Sequence, residues 1–417
     1  MRVLWFSNCI LTLGKTTSSG TWLYTMAESL VANGVELINI TQSSVKDILK
    51  KENNGLIDYL LPRFPLKNGL PNQNNIRRIV EIVKNEAPDI IHIWGMESYF
   101  GLLASRLYIK GNVILEIQGI KSLCVPVFYG CLSQQEVWKC IGIRELLKPS
   151  LGLYRKRHDF KNWSKYEKEM VGGIANISTQ SDWVRSWVRN NCSPNAHIYN
   201  TSIIVRKPFL LSEKWSVSNS EERRIFALSA GSEAYKGIHI ALYAVKILKQ
   251  QYPNVELRIA GAFGQKNEFY RKPGYTIFLQ RLINKLGIKN NVIFVGPLSA
   301  SQIVEELHKA RCFLQTSFVE SYSLALAEAM AVGMPCVVSY AGAMIELAKD
   351  NFSALFYPPM EYYTCAEKIC RLFESPNLCA TLSQNAREMA IERNDERKAV
   401  LTQLSIYNDI LKKSNIL

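Results

Sequence analysis

Short apolar runs alternate with amphipathic, helix-like stretches along most of the chain. The runs are rich in Val, Ile, Leu and Phe, and they are apolar throughout rather than at every second position. Such runs predict strands buried on both faces, and their alternation with helices predicts βαβ units and parallel sheets. The predicted strands are 2–7, 35–41, 89–95, 112–119, 175–180, 225–231, 255–262, 291–298, 312–317, 336–340 and 354–359.

This alternation breaks once, at a polar and turn-rich stretch over 212–222. The 417 residues are also more than one ordinary hydrophobic core needs. We therefore predict two doubly wound α/β domains, at 1–205 and 206–393. A last helical stretch, about 394–417, has no strand after it, and we expect it to pack back on the first domain.

The net charge of +14 favours an anionic partner, which could be nucleic acid, an anionic membrane or a phosphorylated ligand. No nucleic-acid reader motif accompanies the charge, so we set nucleic acid aside. The basic excess is greatest over 144–168, with eight Lys or Arg against three Asp or Glu. This segment is either a solvated helix face or a surface for an anionic membrane or a phosphorylated acceptor.

The ten cysteines are spread thinly and form no C-x-x-C pair, so we expect free thiols in a reducing cytoplasm. No apolar run is long enough to span a membrane. We expect the first residues to form a strand rather than a signal peptide. The predicted location is the cytoplasm, with possible attachment to the inner face of the membrane.

Two glycine-bearing turns follow predicted strands and could hold a phosphate. The segment 11–20 contains GKT, but Cys9 stands where a P-loop needs a glycine, which leaves only the turn at Ser19 and Gly20. That turn could equally be a plain helix cap. The segment 230–237 is the stronger candidate, because Lys236 enters a helix there and could reach an anion; alternatively it is a solvated lysine.

Two glutamates, Glu320 and Glu328, stand in an otherwise apolar stretch over 317–336. We predict a turn at 321–323 and a helix over about 322–332, which places Glu320 at the carboxyl end of a strand. Open α/β sheets bind ligands at that edge. Backbone N–H groups at the helix start suit a phosphate, and a carboxylate can accept from both hydroxyls of a ribose. The segment therefore predicts a site for a phosphorylated, hydroxyl-rich ligand.

Glu320, Glu328 and the segment that follows them resemble the E-x7-E motif of the retaining glycosyltransferases of family 4, which have the GT-B fold. Further segments match the motifs of that family in order along essentially the whole chain. They are the first glycine-rich loop (18–20), the D-x-x-H strand end (89–98), the asparagine segment (198–203), the donor-phosphate loop (230–237), the loop after the E-x7-E helix (341–347) and the final strand with its turn (356–360).

The resemblance implies two Rossmann-like domains with a cleft between them and a C-terminal helix that crosses back to the first. It also implies retaining, metal-independent transfer of a hexose from a UDP- or GDP-sugar to a glycan or lipid-linked acceptor, with no further cofactor. Lys236 and Glu320 would be catalytic. The residues implied for donor binding are Ser19, Gly20, Gly231, Ser232, Ser321, Tyr322, Ser323, Leu324 and Glu328.

The chain departs from the family pattern at two positions. Ser232 replaces an arginine of the donor loop, and Gln118 replaces a histidine on the acceptor side. His92 and Glu97 are then the polar acceptor-side candidates, and Trp94 could stack on a sugar or simply pack. These departures keep open a non-catalytic sugar-nucleotide-binding subunit. A separate alternative is another GT-B enzyme, such as a sugar-nucleotide epimerase or an inverting transferase.

Overall fold

In a computed structural model of the chain, the structure describes residues 1–13, 21–229, 233–263 and 272–414. The fold divides into two compact units. Unit 1 consists of Met1–Ser122, Trp163–Ile204 and Asn394–Leu417, and unit 2 of Leu123–Asn162 and Val205–Arg393.

Unit 1 is built on an eight-stranded sheet in the order β3-β4-β2-β1-β5-β6-β7-β8. All its pairings are parallel except β3 with β4, which is antiparallel. The strands are β1 (Arg2–Ser7), β2 (Glu36–Gln42), β3 (Leu49–Asn53), β4 (Leu56–Leu61), β5 (Ile90–Trp94), β6 (Val113–Glu116), β7 (Asn176–Thr179) and β8 (His197–Asn200).

The hairpin of β3 and β4 and the edge strand β8 are absent from the sequence-based prediction. Strand β3 is exposed along its whole length, and its charged sequence lacks the apolar run by which the buried strands were recognised. Asn54 and Gly55 both have positive φ in the turn, which is the geometry that Asn-Gly favours in a tight hairpin.

The helices of unit 1 include the C-terminal helix, whose side chains reach the centre of the sheet. Tyr407 is fully buried, and its hydroxyl accepts a hydrogen bond from Trp5 Nε1 at 3.1 Å. The helices are α1 (Thr21–Ala32), α2 (Gln73–Glu86), α3 (Phe100–Ser105), α8 (Asp182–Arg189) and α17 (Glu396–Ser414).

Unit 2 is built on a fully parallel six-stranded sheet in the order β11-β10-β9-β12-β13-β14. This order, which reverses at β9, is that of a doubly wound sheet. The strands are β9 (Arg224–Leu228), β10 (Glu256–Ala260), β11 (Val292–Gly296), β12 (Cys312–Gln315), β13 (Cys336–Ser339) and β14 (Leu355–Tyr357).

The helices of unit 2 connect and cover these strands. Two helices cross the division of the chain: α4 (Lys121–Cys124) and α7 (Leu153–Gly173) each give residues to both units. The others are α5 (Gln134–Lys139), α6 (Ile143–Leu147), α9 (Lys207–Leu210), α10 (Ile238–Gln251), α11 (Gly274–Leu286), α12 (Ala300–Lys309), α13 (Leu324–Val332), α14 (Met344–Leu347), α15 (Tyr362–Glu374) and α16 (Pro376–Arg393).

Residues 123–162 correct the predicted domain assignment, which placed them in the first domain. They pack with unit 2 because Phe128 and Leu153 join its hydrophobic core. The buried carboxylate of Glu145 adds a polar tie, since it accepts hydrogen bonds from the backbone N–H groups of Gly142 and Gly274, each at 3.0 Å. The position of residues 123–162 in the sequence does not by itself show that they pack with unit 2.

Candidate active site

The loop that follows β12 brings Glu320 to the carboxyl edge of the sheet of unit 2. Helix α13 begins at Leu324, and the hydroxyl of Ser323 caps it by accepting from the N–H of Leu326 at 3.3 Å. The helix therefore starts two residues later than the sequence suggested. It ends at Gly333, whose φ of +82° suits a left-handed cap.

Glu320 and Lys236 form an ion pair at this edge. Lys236 Nζ lies 2.7 Å from Glu320 Oε1, and the same oxygen accepts from Ser317 Oγ at 2.7 Å and Gln315 Nε2 at 3.2 Å. Burial lowers the pKa of Lys236, but the nearby Glu320 carboxylate raises it. The net shift of the pKa is upward, so the lysine stays charged. Two predicted catalytic side chains are thus in direct contact.

Hydrogen bonds to backbone carbonyl groups fix the loops that carry this pair. Phe318 N donates to Tyr235 O at 2.8 Å, and Thr316 Oγ1 donates to Lys236 O at 2.8 Å. Gly237 has a φ of +74°, and a Cβ there would lie 2.0 Å from Thr316 O. Only glycine therefore lets the lysine loop approach so closely.

A third loop, after β13, supports Glu320 from its other side. Ala343 N donates to Glu320 O at 2.9 Å, and a Cβ on Gly342 would come within 2.0 Å of that carbonyl oxygen. Ser339 Oγ also donates to Ser317 O at 2.6 Å. Three loops from the carboxyl edge of one parallel sheet thus converge on Glu320, which is where the sequence predicted a ligand site.

Glu328 lies in the middle of α13 and is only 3% exposed. Its carboxylate pairs with Arg206, with Nε 2.5 Å from Oε1 and Nη2 2.8 Å from Oε2. Burial raises the pKa of Glu328 and Arg206 lowers it, and the net shift is upward. Sequence reasoning missed Arg206: a buried carboxylate calls for a cation, but the sequence does not say which one.

The remaining donor-side predictions divide into two groups. Ser321 and Tyr322 are half-buried in the loop before α13, beside Ser323 and Leu324 at the start of the helix, so their backbone N–H groups lie at its N-terminus. The others lie outside the described residues, and they are Ser19, Gly20, Gly231 and Ser232.

Two of the acceptor-side predictions are corrected by unit 1. His92 is fully buried and Trp94 is 3% exposed, and their rings stack with centroids 3.8 Å apart. His92 Nδ1 meets the hydroxyl of Tyr407 at 2.8 Å, and burial lowers the pKa of the imidazole well below its usual value. Both side chains pack in the core of unit 1, His92 against Tyr407 of the C-terminal helix and Trp94 against Trp5 and Trp22.

Glu97 and Gln118 remain candidates at the carboxyl edge of the sheet of unit 1. Glu97 is exposed, and its carboxylate lies against Gly95 and Gly119, where an added Cβ would fall 2.0 and 2.7 Å from its oxygens. Gln118 is half-buried and directly precedes Gly119 in the chain. Lys121 Nζ donates to the Glu97 carbonyl at 3.0 Å, which places a cation at the same edge.

Glu116, on β6, is a buried acid for which the sequence predicted no role. It is fully buried and accepts a hydrogen bond from Ser178 Oγ, and burial raises its pKa to about 8. The folded state thus holds a proton that the unfolded chain loses above its ordinary value of 4.5. Its contribution to stability is full below that value and falls as pH rises towards about 8.

We expect Glu116→Gln to remove this dependence. The free energy of unfolding of the parent should fall relative to that of the variant by up to ~1.4 kcal/mol per pH unit in that range. Denaturant unfolding of both proteins at pH 6 and pH 8 measures the difference. A constant difference between the two proteins would contradict a raised pKa at Glu116.

Within the described ranges, no group of three or more His, Cys, Asp or Glu side chains is placed to hold a metal ion. In the same ranges, none of the helices combines the length and apolar character needed to cross a membrane. All ten cysteines lie in the described ranges, and they are free thiols.

Comparison with known proteins finds a family model that is similar to this part of the chain. Residues 212–389, which include Lys236, Glu320 and Glu328, match the family model of glycosyl transferases group 1. The E-x7-E resemblance seen in the sequence is therefore confirmed.

Curated relatives align with part or nearly all of the chain. The MMP alpha-(1->4)-mannosyltransferase of Mycolicibacterium hassiacum is 27% identical over 191 residues, which are 46% of this chain and 44% of that protein. The N-acetyl-alpha-D-glucosaminyl L-malate synthase of Bacillus anthracis is 28% identical over 140 residues, 34% of this chain and 36% of that protein. The chain thus spans less than half the length of these two relatives.

A third relative matches at greater length. An uncharacterized glycosyltransferase of Methanocaldococcus jannaschii is 22% identical over 394 residues, with 92% of each chain covered. Its match extends beyond residues 212–389 into residues of unit 1.

Solved structures are similar in fold to this chain over nearly its whole length. Sucrose-phosphate synthase from Thermosynechococcus elongatus superposes with a TM-score of 0.75 at 16% identity, covering 99% of both chains. Anabaena HepE in complex with UDP-glucose superposes with a TM-score of 0.65 at 17% identity, covering 100% of both. These likenesses confirm the GT-B class predicted from the sequence.

Proposed function

We propose that this chain is a retaining glycosyltransferase that moves a sugar from a nucleotide-diphosphate sugar to a glycan or lipid-linked acceptor. The observation that carries the proposal is the Lys236–Glu320 ion pair at the carboxyl edge of the sheet, within the residues that match the family model of glycosyl transferases group 1. Building a surface polysaccharide is the biological role that fits such a donor and acceptor.

Lys236 and the start of α13 would hold the diphosphate. An ammonium has three N–H donors, and one of them serves Glu320, so the same lysine can donate to phosphate oxygens. The N–H groups of Ser321 to Leu324 add the partial positive charge of a helix N-terminus. Together they would stabilise the charge that develops on the departing diphosphate, without a metal ion.

The two glutamates would bind the sugars of the donor. Glu328 would accept a hydrogen bond from a ribose hydroxyl, and Glu320 would accept hydrogen bonds from hydroxyls of the transferred sugar. In the transfer, the bond between the anomeric carbon and the phosphate oxygen breaks, and the acceptor oxygen bonds to that carbon on the same face. The proton of the acceptor hydroxyl passes to the departing phosphate, so that no enzyme nucleophile is needed. Glu97 and Gln118 are the proposed acceptor-side groups.

The donor class is supported by one named comparison. The HepE structures contain UDP, UDP-glucose, or UDP with glucose. We propose a UDP- or GDP-sugar as donor and no further cofactor.

Product stereochemistry tests the proposed reaction. The purified chain would be incubated with UDP- and GDP-sugars and candidate glycan or lipid-linked acceptors, and the anomeric configuration of the product read by NMR. A product with the configuration of the donor supports the proposal. An inverted product would contradict retention, and an epimerised donor without transfer would contradict transfer itself.

We also propose that α5 and α6 in unit 2 contact an anionic membrane. Trp138, Leu146 and Leu147 are 63%, 70% and 79% exposed, and Lys139 and Lys148 are exposed among them. Exposed apolar side chains interleaved with cations suit the surface of an anionic bilayer. This face overlaps the predicted 144–168 segment only at its start.

Later cations of the predicted segment already have protein partners. Arg157 donates to Val125 O at 3.1 Å and lies over the Tyr129 ring, while Arg155 pairs with Asp159 at 2.9 Å. The apolar residues of α6 therefore make the sharper test of membrane binding.

We expect the double change Leu146→Ser/Leu147→Ser to weaken binding to vesicles of phosphatidylcholine and phosphatidylglycerol by roughly tenfold or more, because two inserted leucines are lost. Co-sedimentation measures the bound fraction. Leu211→Ser is the matched control, because Leu211 is also exposed in unit 2. Equal binding by the parent and the double variant would contradict membrane insertion at this face.

A further inference from the structure

Arg206 makes a contact with the candidate donor site that the sequence did not suggest. It directly precedes α9, and its guanidinium lies over the ring of Phe209, 4.8 Å from the centroid. From there it reaches both carboxylate oxygens of Glu328, at 2.5 and 2.8 Å. The guanidinium is thus held by a ring against its face and by two charged hydrogen bonds at its edge.

Stability alone does not explain the buried ion pair of Arg206 and Glu328. Glu328 is the single charged residue in the sequence of α13, which otherwise consists of Leu, Ala, Met and Val. Taking two charges out of water costs about as much as their attraction returns, so an apolar residue would serve the helix at least as well. The pair therefore points to a use for the carboxylate.

The geometry of the pair leaves the carboxylate able to bind more. Each carboxylate oxygen has two acceptor positions, and the guanidinium occupies one on each oxygen. One acceptor position then remains on each oxygen by the valence of the group. These two positions point to opposite sides of the carboxylate, so a ribose hydroxyl can use one of them.

We propose that Arg206 is a positioning residue for the donor: it holds Glu328 in the orientation in which a remaining acceptor position meets a ribose hydroxyl. This inference rests on the proposed function, in which Glu328 binds the ribose. Arg206 itself touches no part of the donor. Its effect is on the preference for ribose over deoxyribose, because misorientation of the carboxylate loses the hydrogen bond to that hydroxyl.

The test measures binding of UDP and GDP, each against its 2′-deoxy counterpart, by calorimetry. We expect the parent to bind one ribonucleotide about tenfold more tightly than its deoxy form, the effect of one charged hydrogen bond. Arg206→Met should weaken binding of the ribonucleotide by a similar factor, so that the ribonucleotide and its deoxy form bind about equally. Arg206→Lys should give an intermediate preference, because an ammonium cannot hold both oxygens in one plane.

Arg258→Met is the matched control, since Arg258 makes a similar two-bond pair with Glu306, at 2.8 and 2.9 Å, elsewhere in unit 2. It should keep the preference of the parent. The same preference in Arg206→Met and Arg206→Lys as in the parent would overturn the inference. If Arg206→Met does not fold, Arg206→Lys decides.

Failure of the proposed function would show differently. In that case the parent binds neither UDP nor GDP, or Glu328→Gln binds both nucleotides and their deoxy forms as the parent does, and the inference falls with the function. A change of preference in Glu328→Gln alone, with none in either Arg206 variant, would keep the function and reject the inference.

Discussion

Glu328→Gln should raise the KM for the sugar nucleotide by roughly 10- to 100-fold while changing kcat much less. The reason is that the amide carries no charge, and one hydrogen bond to a charged group is worth roughly 10- to 100-fold in binding. The size of the side chain is kept, so the packing of α13 changes little. Steady-state kinetics with varied donor measures both constants.

The matched control for this change is Glu305→Gln, which removes an exposed glutamate from α12 in the same unit. Its KM should equal that of the parent. A KM equal to that of the parent in Glu328→Gln would show that Glu328 does not bind the donor. It would also contradict the interpretation of the E-x7-E motif. Thermal unfolding of both variants shows whether a change in KM reflects lost folding.

Lys236→Met should lower kcat by roughly 100- to 1,000-fold, the effect of losing one preorganised group that stabilises developing charge. Methionine keeps an unbranched stem of similar length but carries no charge. Glu320 would keep its hydrogen bonds from Ser317 and Gln315, so the loop should stay in place. Lys236→Arg should recover part of the activity, because the positive charge returns.

Lys246→Met is the control for Lys236, because Lys246 is an exposed lysine on α10 of the same unit. It should turn over donor at the rate of the parent. If Lys236→Met does so as well, the diphosphate is stabilised elsewhere, and Lys236 serves only to hold Glu320.

The sequence predicted the parallel sheets well where strands are buried on both faces. Runs such as 312–317 and 336–340 contain β12 and β13, because burial on both faces demands continuous apolar residues. Strand β3 was missed because an exposed edge strand tolerates lysine and glutamate. The Asn-Gly turn at 54–55 was the available signal for that hairpin.

The sequence did not allow contacts between residues far apart in the chain to be predicted. Glu320 and Lys236 were each predicted from local patterns, and the structure joins them. By contrast, the partner of Glu328 stands 122 positions away, with nothing in its local sequence to mark it. His92 was misjudged for a related reason: the strand end looked open until Tyr407 of the C-terminal helix was found against it.

Residues 123–162 show the same limit at the scale of a domain. Their apolar residues indicate that they pack somewhere, but the core they join is chosen by shape and by contacts such as Glu145 with Gly274. A pattern of hydrophobic positions predicts burial and leaves the partner open.

Calorimetric titration of the purified chain with UDP, GDP, ADP and CMP, without added metal, would show whether α13 forms part of a nucleotide-sugar site. We predict selective binding of UDP or GDP, weakened at least tenfold in Glu328→Gln. Binding of none of the four, or equal binding by the parent and the variant, would contradict a nucleotide-sugar site at α13.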